Sequence, residues 1–338
     1  MERRSMICSI CIANYNGEHM LDACLASISA QDFAGPYEII VHDDASTDAS
    51  LAVLARHPGV RVIRSESNVG FCESNNRMVA ASRGEYVLLL NNDAALFPDA
   101  LSTFLAHARE ASRPAILTAP QFDWSTGDLV DRGCLLDPFM NPVPVTSEGH
   151  PDVAMSIGAC MWIPRALWFA LGGFPAWLES LAEDMYLCCA ARQRGYDVRC
   201  LPASGYRHMQ GQSFGGNRAN EGKLLTTYRR RRLSERNKTF LLVVFTPGMW
   251  LIPVLVAHLM TLMGEGLMFS AIRRDRRLLQ EVYVGAALSA WRERKSLLAH
   301  RQRLQKARTI DSSQYYAAFT WCPRKLALLF RYGLPRFR

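Results

Sequence analysis

Gly84 to Asp93 reads GEYVLLLNND. Glu85 to Leu90 is a short, almost continuous apolar run, the pattern of a strand buried on both faces in the middle of a parallel sheet. It stops abruptly in Asn91, Asn92 and Asp93. In open α/β sheets ligands bind beyond the carboxyl ends of the strands. A carboxylate there is well sited to hold a hard divalent cation, since Mg²⁺ typically bridges one or two carboxylates to substrate phosphates. A polar turn after a buried strand would read the same way, so the flanking segments decide.

Upstream, Met6 to Ala13 reads as a first buried strand, broken by Asn14-Tyr15-Asn16-Gly17 and followed by a helix with Leu21, Cys24, Leu25 and Ile28 on one face. Tyr37 to Val41 is a second strand ending in His42-Asp43-Asp44-Ala45-Ser46-Thr47-Asp48. Ser46, Thr47 or Asp48 can cap the helix through Leu51, Val53 and Leu54. Val60 to Arg64 is a third strand, and Asn68-Val69-Gly70-Phe71 opens a helix over Glu73 to Ser82 that carries Asn75 and Asn76. Pro98-Asp99 starts the helix after the central strand. Strand and helix alternate four times, which predicts an α/β fold with a doubly wound, mostly parallel sheet. Downstream, Ala115 to Ala119 is a further strand, Asp123 to Pro151 reads as irregular loops, and Ser156 to Pro164 returns to an apolar run. Leu181 to Arg194 is helical with Gly195 as its stop. Val198 to Leu201 is a last strand, and Tyr206 to Gly216 is a polar, glycine-rich loop. These elements predict one domain over residues 1–225 and a basic, apolar helical region over 226–338.

The chain has 338 residues, is 49% hydrophobic and carries a net charge of +8. The basic residues concentrate late, at Arg229–Arg232, Arg273–Arg277 and Arg292–Arg308. Such a tail points to an anionic surface, nucleic acid or lipid. It pairs arginine with leucine instead of interleaving aromatics, which suits lipid and argues against a nucleic-acid partner. Thr239 to Ser270 is apolar for about two dozen residues, long enough to cross a bilayer once and too short for two crossings. Both flanks are basic, against the positive-inside tendency for a single crossing. The reading is a segment lying in the interface, or re-entering, at the cytoplasmic face of the inner membrane, peripheral or monotopic. Cys8 and Cys11 have CxxC spacing but sit in a strand, where residues three apart point to opposite faces and do not chelate one metal. No disulfide framework is visible and MERRSMICSIC lacks a signal-peptide pattern, so a reduced, cytoplasmic setting is expected.

Four sites fall on one carboxyl edge: Asn14 to Asn16, Asp43-Asp44, Asn68 to Asn76, and Asp93. GxGxxG and GxxxxGK[ST] are both missing, which leaves a dinucleotide fingerprint or P-loop unsupported. An acidic pair after the second strand can accept from a base N–H or ribose hydroxyls, and a carboxylate after a later strand can take a metal and hence a diphosphate. Together they predict a nucleotide-diphosphate site without a glycine cradle. Glu183-Asp184 opens a helix, where the macrodipole favours acids, and a carboxylate near a metal-bound substrate can act as general base on a hydroxyl. His208 is a candidate metal or phosphate ligand.

SICIANYNG, VHDDASTDAS, NVGFCESNN, GEYVLLLNND, LAEDMYLCCAARQRGYDV and YRHMQGQSFG occur in that order. In them the chain resembles family 2 glycosyltransferases with a GT-A fold, over about residues 6–245, and its second half is most similar to bacterial rhamnosyltransferase-like members that build cell-surface polysaccharide. The resemblance implies that Asn14 and Tyr15 line the base and ribose pocket, that Asp43 and Asp44 bind the nucleoside, and that Asn68, Gly70 and Asn76 shape the diphosphate side with Asn92. It makes Asp93 the metal-binding member of a DxD-type element, His208 a partner in holding the metal, and Asp184, with Glu183 beside it, the catalytic base of an inverting reaction. The implied cofactor is Mg²⁺ or Mn²⁺, and the implied partners are a nucleotide-diphospho-sugar donor, a saccharide or lipid-linked saccharide acceptor and an anionic membrane surface. Rhamnose from a dTDP donor is the leading expectation for the sugar. The chain departs from the family pattern at Asn91, where the first DxD acid would stand, at Tyr186 in place of an acid, and at Gly172-Gly173-Phe174-Pro175-Ala176 in the acceptor loop. These departures keep a second reading in view, a catalytically silent sugar-binding or assembly partner in a polysaccharide complex.

Overall fold

The computed structural model describes residues 5–149, 152–209, 219–220, 223–333 and 336–337. The chain divides into two compact units, one of Met1–Cys134, Pro144–Ala191 and Tyr196–Met209, the other of Leu135–Val143, Arg192–Gly195 and Gln210–Arg338.

The first unit begins as the alternation predicts. β1 (Cys8–Asn14), α1 (Leu21–Ser29), β2 (Tyr37–Asp43), α2 (Ser50–Ala55), β3 (Val60–Arg64), α3 (Phe71–Ala81) and β4 (Tyr86–Leu90) follow in turn. β1 pairs in parallel with both β2 and β4, and β2 with β3. All five residues of β4 are buried, which is why the segment reads as an unbroken apolar run. After β5 (Ala94–Leu96) and α4 (Ala100–Glu110), the chain forms β6 (Ala115–Thr118), β7 (Gln121–Asp123) and β8 (Leu129–Asp131). The stretch expected to be irregular therefore holds short strands, including β9 (Cys134–Leu136) and β10 (Pro142–Pro144), which pair with each other. Then come β11 (Cys160–Pro164), α5 (Arg165–Leu171), α6 (Glu183–Gln193), β12 (Asp197–Cys200) and β13 (Tyr206–His208).

The main sheet has the order β12-β6-β11-β4-β1-β2-β3. It is mixed: β11 runs antiparallel between β4 and β6. The other six strands run the same way, so the sheet is mostly parallel as expected, with one reversed strand. The cause lies in the route of the chain, which enters β11 at the carboxyl edge of β4, with Cys160 opposite Leu90 and Asn91 N–H bonded to Ala159 O at 3.0 Å. A second, four-stranded sheet has the order β5-β13-β7-β8. Tyr206–His208 is thus a strand where a loop was expected; residues 210–216 of that stretch lie outside the described residues. None of the ten cysteines is in a disulfide, and all but Cys322 are buried. Burial pushes the Cys8 and Cys11 thiols up, away from metal-binding thiolates.

The second unit contains the ladder β14 (Ala219–Asn220), β15 (Lys223–Thr226) and β16 (Arg336–Phe337), then helices. The apolar run from Thr239 divides at Thr246-Pro247 into the end of α7 (Tyr228–Phe245) and α8 (Gly248–Arg273). Proline has no N–H to continue the first helix and is well tolerated where a second begins. The two halves differ in fate. Thr239 to Leu242 of α7 are buried, whereas just 17% of the most apolar stretch of α8 is. A π-helix (Leu278–Val284), α9 (Gly285–Arg292), α10 (Arg294–Lys306), α11 (Ser312–Tyr316) and α12 (Arg324–Tyr332) complete the unit. Its core gathers Leu262, Phe269, Leu278, Val282, Tyr283 and Ala286.

Candidate active site

All twelve residues singled out in the sequence lie in the first unit, and the carboxyl edge of β1, β2 and β4 organises most of them. Asn14 ends β1 and is buried. Its amide donates to Asp43 Oδ1 at 3.1 Å, and its Oδ1 accepts from the Asn92 amide at 2.7 Å. Three strand ends are thereby tied by side chains alone. The tie needs Gly17, because a Cβ there would come within 2.2 Å of Asn14 Oδ1 and 2.3 Å of Asn92 Nδ2. Asp43 also accepts from Ser46 N–H at 3.2 Å. Asp44 places its two oxygens on the N–H groups of Val69 at 2.7 Å and Gly70 at 2.9 Å. Tyr15, by contrast, is 51% exposed beside these acids, a free aromatic face next to buried carboxylates.

Gly70 caps α3 with φ of +88°, a conformation that an L side chain rarely adopts. Asn68 is exposed in the loop before it. Asn76 is committed elsewhere. Its amide donates to Phe174 O at 2.8 Å and its Oδ1 accepts from Phe174 N–H at 3.0 Å. The observed contacts of Asn76 thus hold the Gly172–Phe174 turn rather than the diphosphate side.

Asp93 and His208 are 115 residues apart in sequence, yet Asp93 Oδ1 and His208 Nε2 lie 3.0 Å apart. The short second sheet makes the match, since β5 leaves directly from Asp93 and pairs with β13 so that Ala94 faces His208. On its other side β13 pairs with β7, setting Tyr206 opposite Gln121. Gln121, fully buried, accepts at Oε1 from the Tyr206 hydroxyl at 2.9 Å and takes His208 Nδ1 at 3.1 Å. An acceptor on that side fixes the imidazole proton on Nδ1 and aims the Nε2 lone pair at the Asp93 carboxylate. At 3.0 Å the two atoms are held together either by a second proton on the ring, as an ion pair, or by a cation that both bind. An imidazole whose far nitrogen donates to an amide oxygen is the usual arrangement of a metal-ligating histidine. Asp93 and His208 therefore fit a divalent cation that completes its shell with phosphate oxygens and water; among the described residues no cluster of three or more His, Cys, Asp or Glu adds further ligands. Asp131, buried at the end of β8, is a neighbour of His208, and burial pushes its carboxyl up to about 7. Gln121 and Asp131 escaped sequence reasoning because strands of three residues carry no periodicity to mark them.

Asp184 reaches the same edge by way of β11. Its Oδ2 accepts from Gly158 N–H at 3.0 Å, two residues before β11. The neighbouring Ala159 carbonyl is the one bonded by Asn91. Glu183 is buried beside Asp184 at the first turn of α6. Glu179, Leu181 and Ala182, just before that helix, all have positive φ, at 64°, 69° and 70°. Left-handed backbone in non-glycine residues costs on the order of 1–3 kcal/mol each and clusters at functional sites. The N-termini of α3 and α6 converge here. Gly70 would place a Cβ 3.7 Å from Glu179 O, and the Cys72 thiol is pushed up by burial and by the charges of Glu183, Asp184 and Glu179.

A mixed α/β sheet with Asp43, Asp44 and Asp93 gathered on its carboxyl edge has the architecture of a GT-A-like fold. Residues 9–165 match the family model described as Glycosyl transferase family 2. The chain is 32% identical over 191 residues to the chondroitin synthase of Escherichia coli, covering 55% of this chain and 26% of that one. It spans between 25% and 52% of the length of the curated relatives it matches. Among solved structures, Staphylococcus aureus TarS 1–349 in complex with UDP-GlcNAc superposes with a TM-score of 0.57 at 18% identity, covering 92% of this chain and 89% of that one. GalNAc-T7 with UDP, GalNAc and Mn²⁺ superposes with a TM-score of 0.53 at 17% identity, over 61% of this chain and 44% of that one.

Proposed function

We propose that this chain is an inverting glycosyltransferase that moves a sugar from a nucleotide-diphospho-sugar to a saccharide acceptor. The observation that carries the reading is the Asp93–His208 pair, assembled from distant sequence on the edge that also bears Asn14, Asp43 and Asp44. On this reading Asn14, Tyr15 and Asp43 receive the base and ribose, while Asp44 holds the loop through Asn68 and Gly70 against the diphosphate. Asp93 and His208 would hold Mg²⁺ or Mn²⁺, which when bound supplies positive charge to the departing diphosphate. Asp184 removes the proton from the acceptor hydroxyl as that oxygen attacks the anomeric carbon. The bond to the diphosphate oxygen breaks on the opposite face, and a single displacement inverts the centre. Hydrogen bonds from Gly158 N–H to Oδ2 at 3.0 Å and from Met185 N–H to Oδ1 at 2.7 Å orient the Asp184 carboxylate. Glu183 adds negative charge beside it.

The acceptor we infer is lipid-linked and the setting the cytoplasmic face of the membrane, in the synthesis of a cell-surface polysaccharide. Residues 226–338 carry 22 Lys and Arg against 6 Asp and Glu, a net +16, and so hold the whole basic excess of the chain. α8 exposes Met249, Ile252, Val256, Met260 and Leu267 at helical spacing along one side. The sugar we infer is rhamnose, on the resemblance of the second half alone.

The test is release of nucleoside diphosphate from a panel of UDP-, dTDP- and GDP-sugars, with and without Mg²⁺ or Mn²⁺, using membrane lipid extract as acceptor. Asp184→Asn keeps the acceptor for Gly158 N–H and should lose on the order of 10²–10⁴ in rate while retaining donor binding. Donor binding without turnover under every acceptor tried would instead favour a silent partner in a polysaccharide complex.

A further inference from the structure

The segment that delivers Asp184 is fastened to α3, and one side chain makes the fastening. Asn76 lies in the second turn of α3. Its amide donates to Phe174 O at 2.8 Å, and its Oδ1 accepts from Phe174 N–H at 3.0 Å. Both backbone groups of one residue are met by one side chain, as a neighbouring strand would meet them. An amide, with a donor and an acceptor on one carbon, can do this; a carboxylate or a hydrocarbon cannot. Asn75, the residue before it, is spent inside the helix, where its amide donates to Phe71 O at 2.9 Å.

The turn that Asn76 holds is shaped to receive it. Gly172 and Gly173 both have positive φ, at 89° and 68°, and both donate their N–H to Trp168 O, at 3.0 and 3.1 Å. A Cβ on Gly173 would come within 2.7 Å of Asn76 Oδ1 and 2.9 Å of Trp168 Nε1. Glycine there makes room for the clamp. Phe174 itself is buried, its ring stacked on Phe71 at 6.1 Å and edge-on to Trp168 at 4.8 Å.

From Phe174 the chain runs to Asp184 with little slack. Leu178 N–H bonds Pro175 O at 3.0 Å, Glu179 N–H bonds Ala176 O at 3.0 Å, and Ser180 N–H bonds Leu178 O at 2.8 Å. Leu178 is fully buried. The left-handed residues Glu179, Leu181 and Ala182 follow, and α6 begins at Glu183. Such backbone persists only where its surroundings over-determine it, and the clamp on Phe174 is one of those constraints. At the start of the same helix, Gly70 N–H is held by Asp44 at 2.9 Å, on the loop assigned above to the diphosphate. Gly70 and Asn76 lie less than two helical turns apart. Donor side and base side therefore share α3 as a common rigid frame.

We propose that Asn76 is a positioning residue of the transfer, which sets the distance from Asp184 to the donor by clamping Phe174 to α3 and touches neither substrate. This rests on the transferase reading above, with Asp184 as base, and it replaces the diphosphate role that the family resemblance implies for Asn76. The test compares Asn76→Ala with Gly173→Ala, which disturbs the same clamp from the opposite side at a residue not assigned to the donor. Isothermal titration with UDP, dTDP and GDP in the presence of Mn²⁺ should give both variants the wild-type affinity. Turnover of nucleotide sugar onto membrane lipid extract should fall about 10–100-fold in kcat with donor KM unchanged, because misplacing a reacting group by about 1 Å costs on the order of 10²-fold. The double variant should lose no more than the worse single one, since both act through one contact. A residue that merely stabilises the fold lowers Tm without producing this split. Asn76→Asp keeps the acceptor for Phe174 N–H and drops just the donor; it should show a smaller loss of the same kind, and it stands in where Asn76→Ala does not fold. Weaker nucleotide binding or a raised donor KM in Asn76→Ala, with Gly173→Ala unaffected, returns Asn76 to the diphosphate and overturns the proposal. An unchanged kcat in folded Asn76→Ala overturns it as well. Full activity of Asp184→Asn overturns the assignment of the base instead, and a wild-type chain that turns over no donor overturns the transferase reading and this one with it.

Discussion

Replacing Gln121 tests whether the Asp93–His208 pair is a metal site or a simple buried contact. Gln121→Leu removes the acceptor that serves both the Tyr206 hydroxyl and His208 Nδ1, each buried. Every donor left without a partner costs about 1–3 kcal/mol, so a drop in Tm is expected on any reading and decides nothing. The informative quantity is the metal. With Gln121 gone, nothing fixes the proton on Nδ1, and the Nε2 lone pair is presented to the cation for only part of the time. Partners of this kind, once mutated, cost on the order of 10–100-fold in metal affinity. Mn²⁺ binding in the presence of nucleoside diphosphate, followed by electron paramagnetic resonance, should weaken by that factor. The Mn²⁺ dependence of donor turnover should shift in parallel, with kcat at saturating metal changed far less. Gln121→Glu retains an acceptor at the same place and should recover most of the affinity. A Gln121→Leu protein with a lower Tm and an unshifted Mn²⁺ dependence would refute the argument and leave Gln121 as packing for Tyr206.

Two further outcomes follow from the same geometry. Asp131 keeps its proton up to about 7 in the folded chain, through burial, against about 3.9 when unfolded. The folded state therefore binds more protons between those values, and stability falls as pH rises through that window, by at most about 4 kcal/mol. Asp131→Asn keeps the oxygen that accepts from Gly133 N–H at 2.9 Å, so its Tm should match wild type near the unfolded carboxyl pKa and exceed it above neutrality; equal Tm values at both ends of a pH series count against the reasoning. Gly17→Ala places a Cβ on the Asn14–Asn92 bridge, and overpacking of this kind costs about 1–3 kcal/mol. The expected readout is a raised KM for the nucleotide sugar together with a lower Tm, and an unchanged KM would separate the bridge from donor binding.

The first half of the fold was legible because each strand announces itself. β4 is buried on both faces and its only polar side-chain atom is the Tyr86 hydroxyl, and the polar residues that end β1, β2 and β4 stand where ligands of α/β sheets are bound. Strand direction was not legible. Residues 156–164 show an apolar run whichever way they lie, so the antiparallel course of β11 could not be read from them. That course brings Gly158 to the carboxyl edge and, through it, Asp184. The Asp93–His208 contact was out of reach for a related reason. It depends on the register of two three-residue strands, too short to show a period and joined across more than a hundred residues. Motif order suggested both residues; only the pairing explains how they meet. The long apolar stretch from Thr239 showed the converse failure. Composition is uniform across Thr246-Pro247, but burial is not: Thr239 to Leu242 are all buried, while α8 buries one side and exposes most of its length.

Asp43 and Asp44 illustrate what geometry adds to an acidic pair that the sequence leaves symmetric. Asp44 spends its oxygens on the N–H groups of Val69 and Gly70, so its charge sets the entrance to α3, where Gly70 holds the backbone in a left-handed conformation. Asp43 is bonded instead to Asn14, and through Asn14 to Asn92, the residue before Asp93. The acid assigned to the nucleoside and the acid assigned to the metal are therefore linked by two side-chain hydrogen bonds across three strand ends. Strand ends locked in this way lose no further entropy when a donor arrives, which is the advantage of a site built on rigid elements. Asp184 is held differently. Its helix follows three left-handed residues in a loop, and such backbone persists only where the surroundings over-determine it. On the proposed reading the donor side is thus pre-formed on the sheet, while the base belongs to a segment that carries strain. Acceptor binding, not donor binding, is the step at which this site has conformational energy to release.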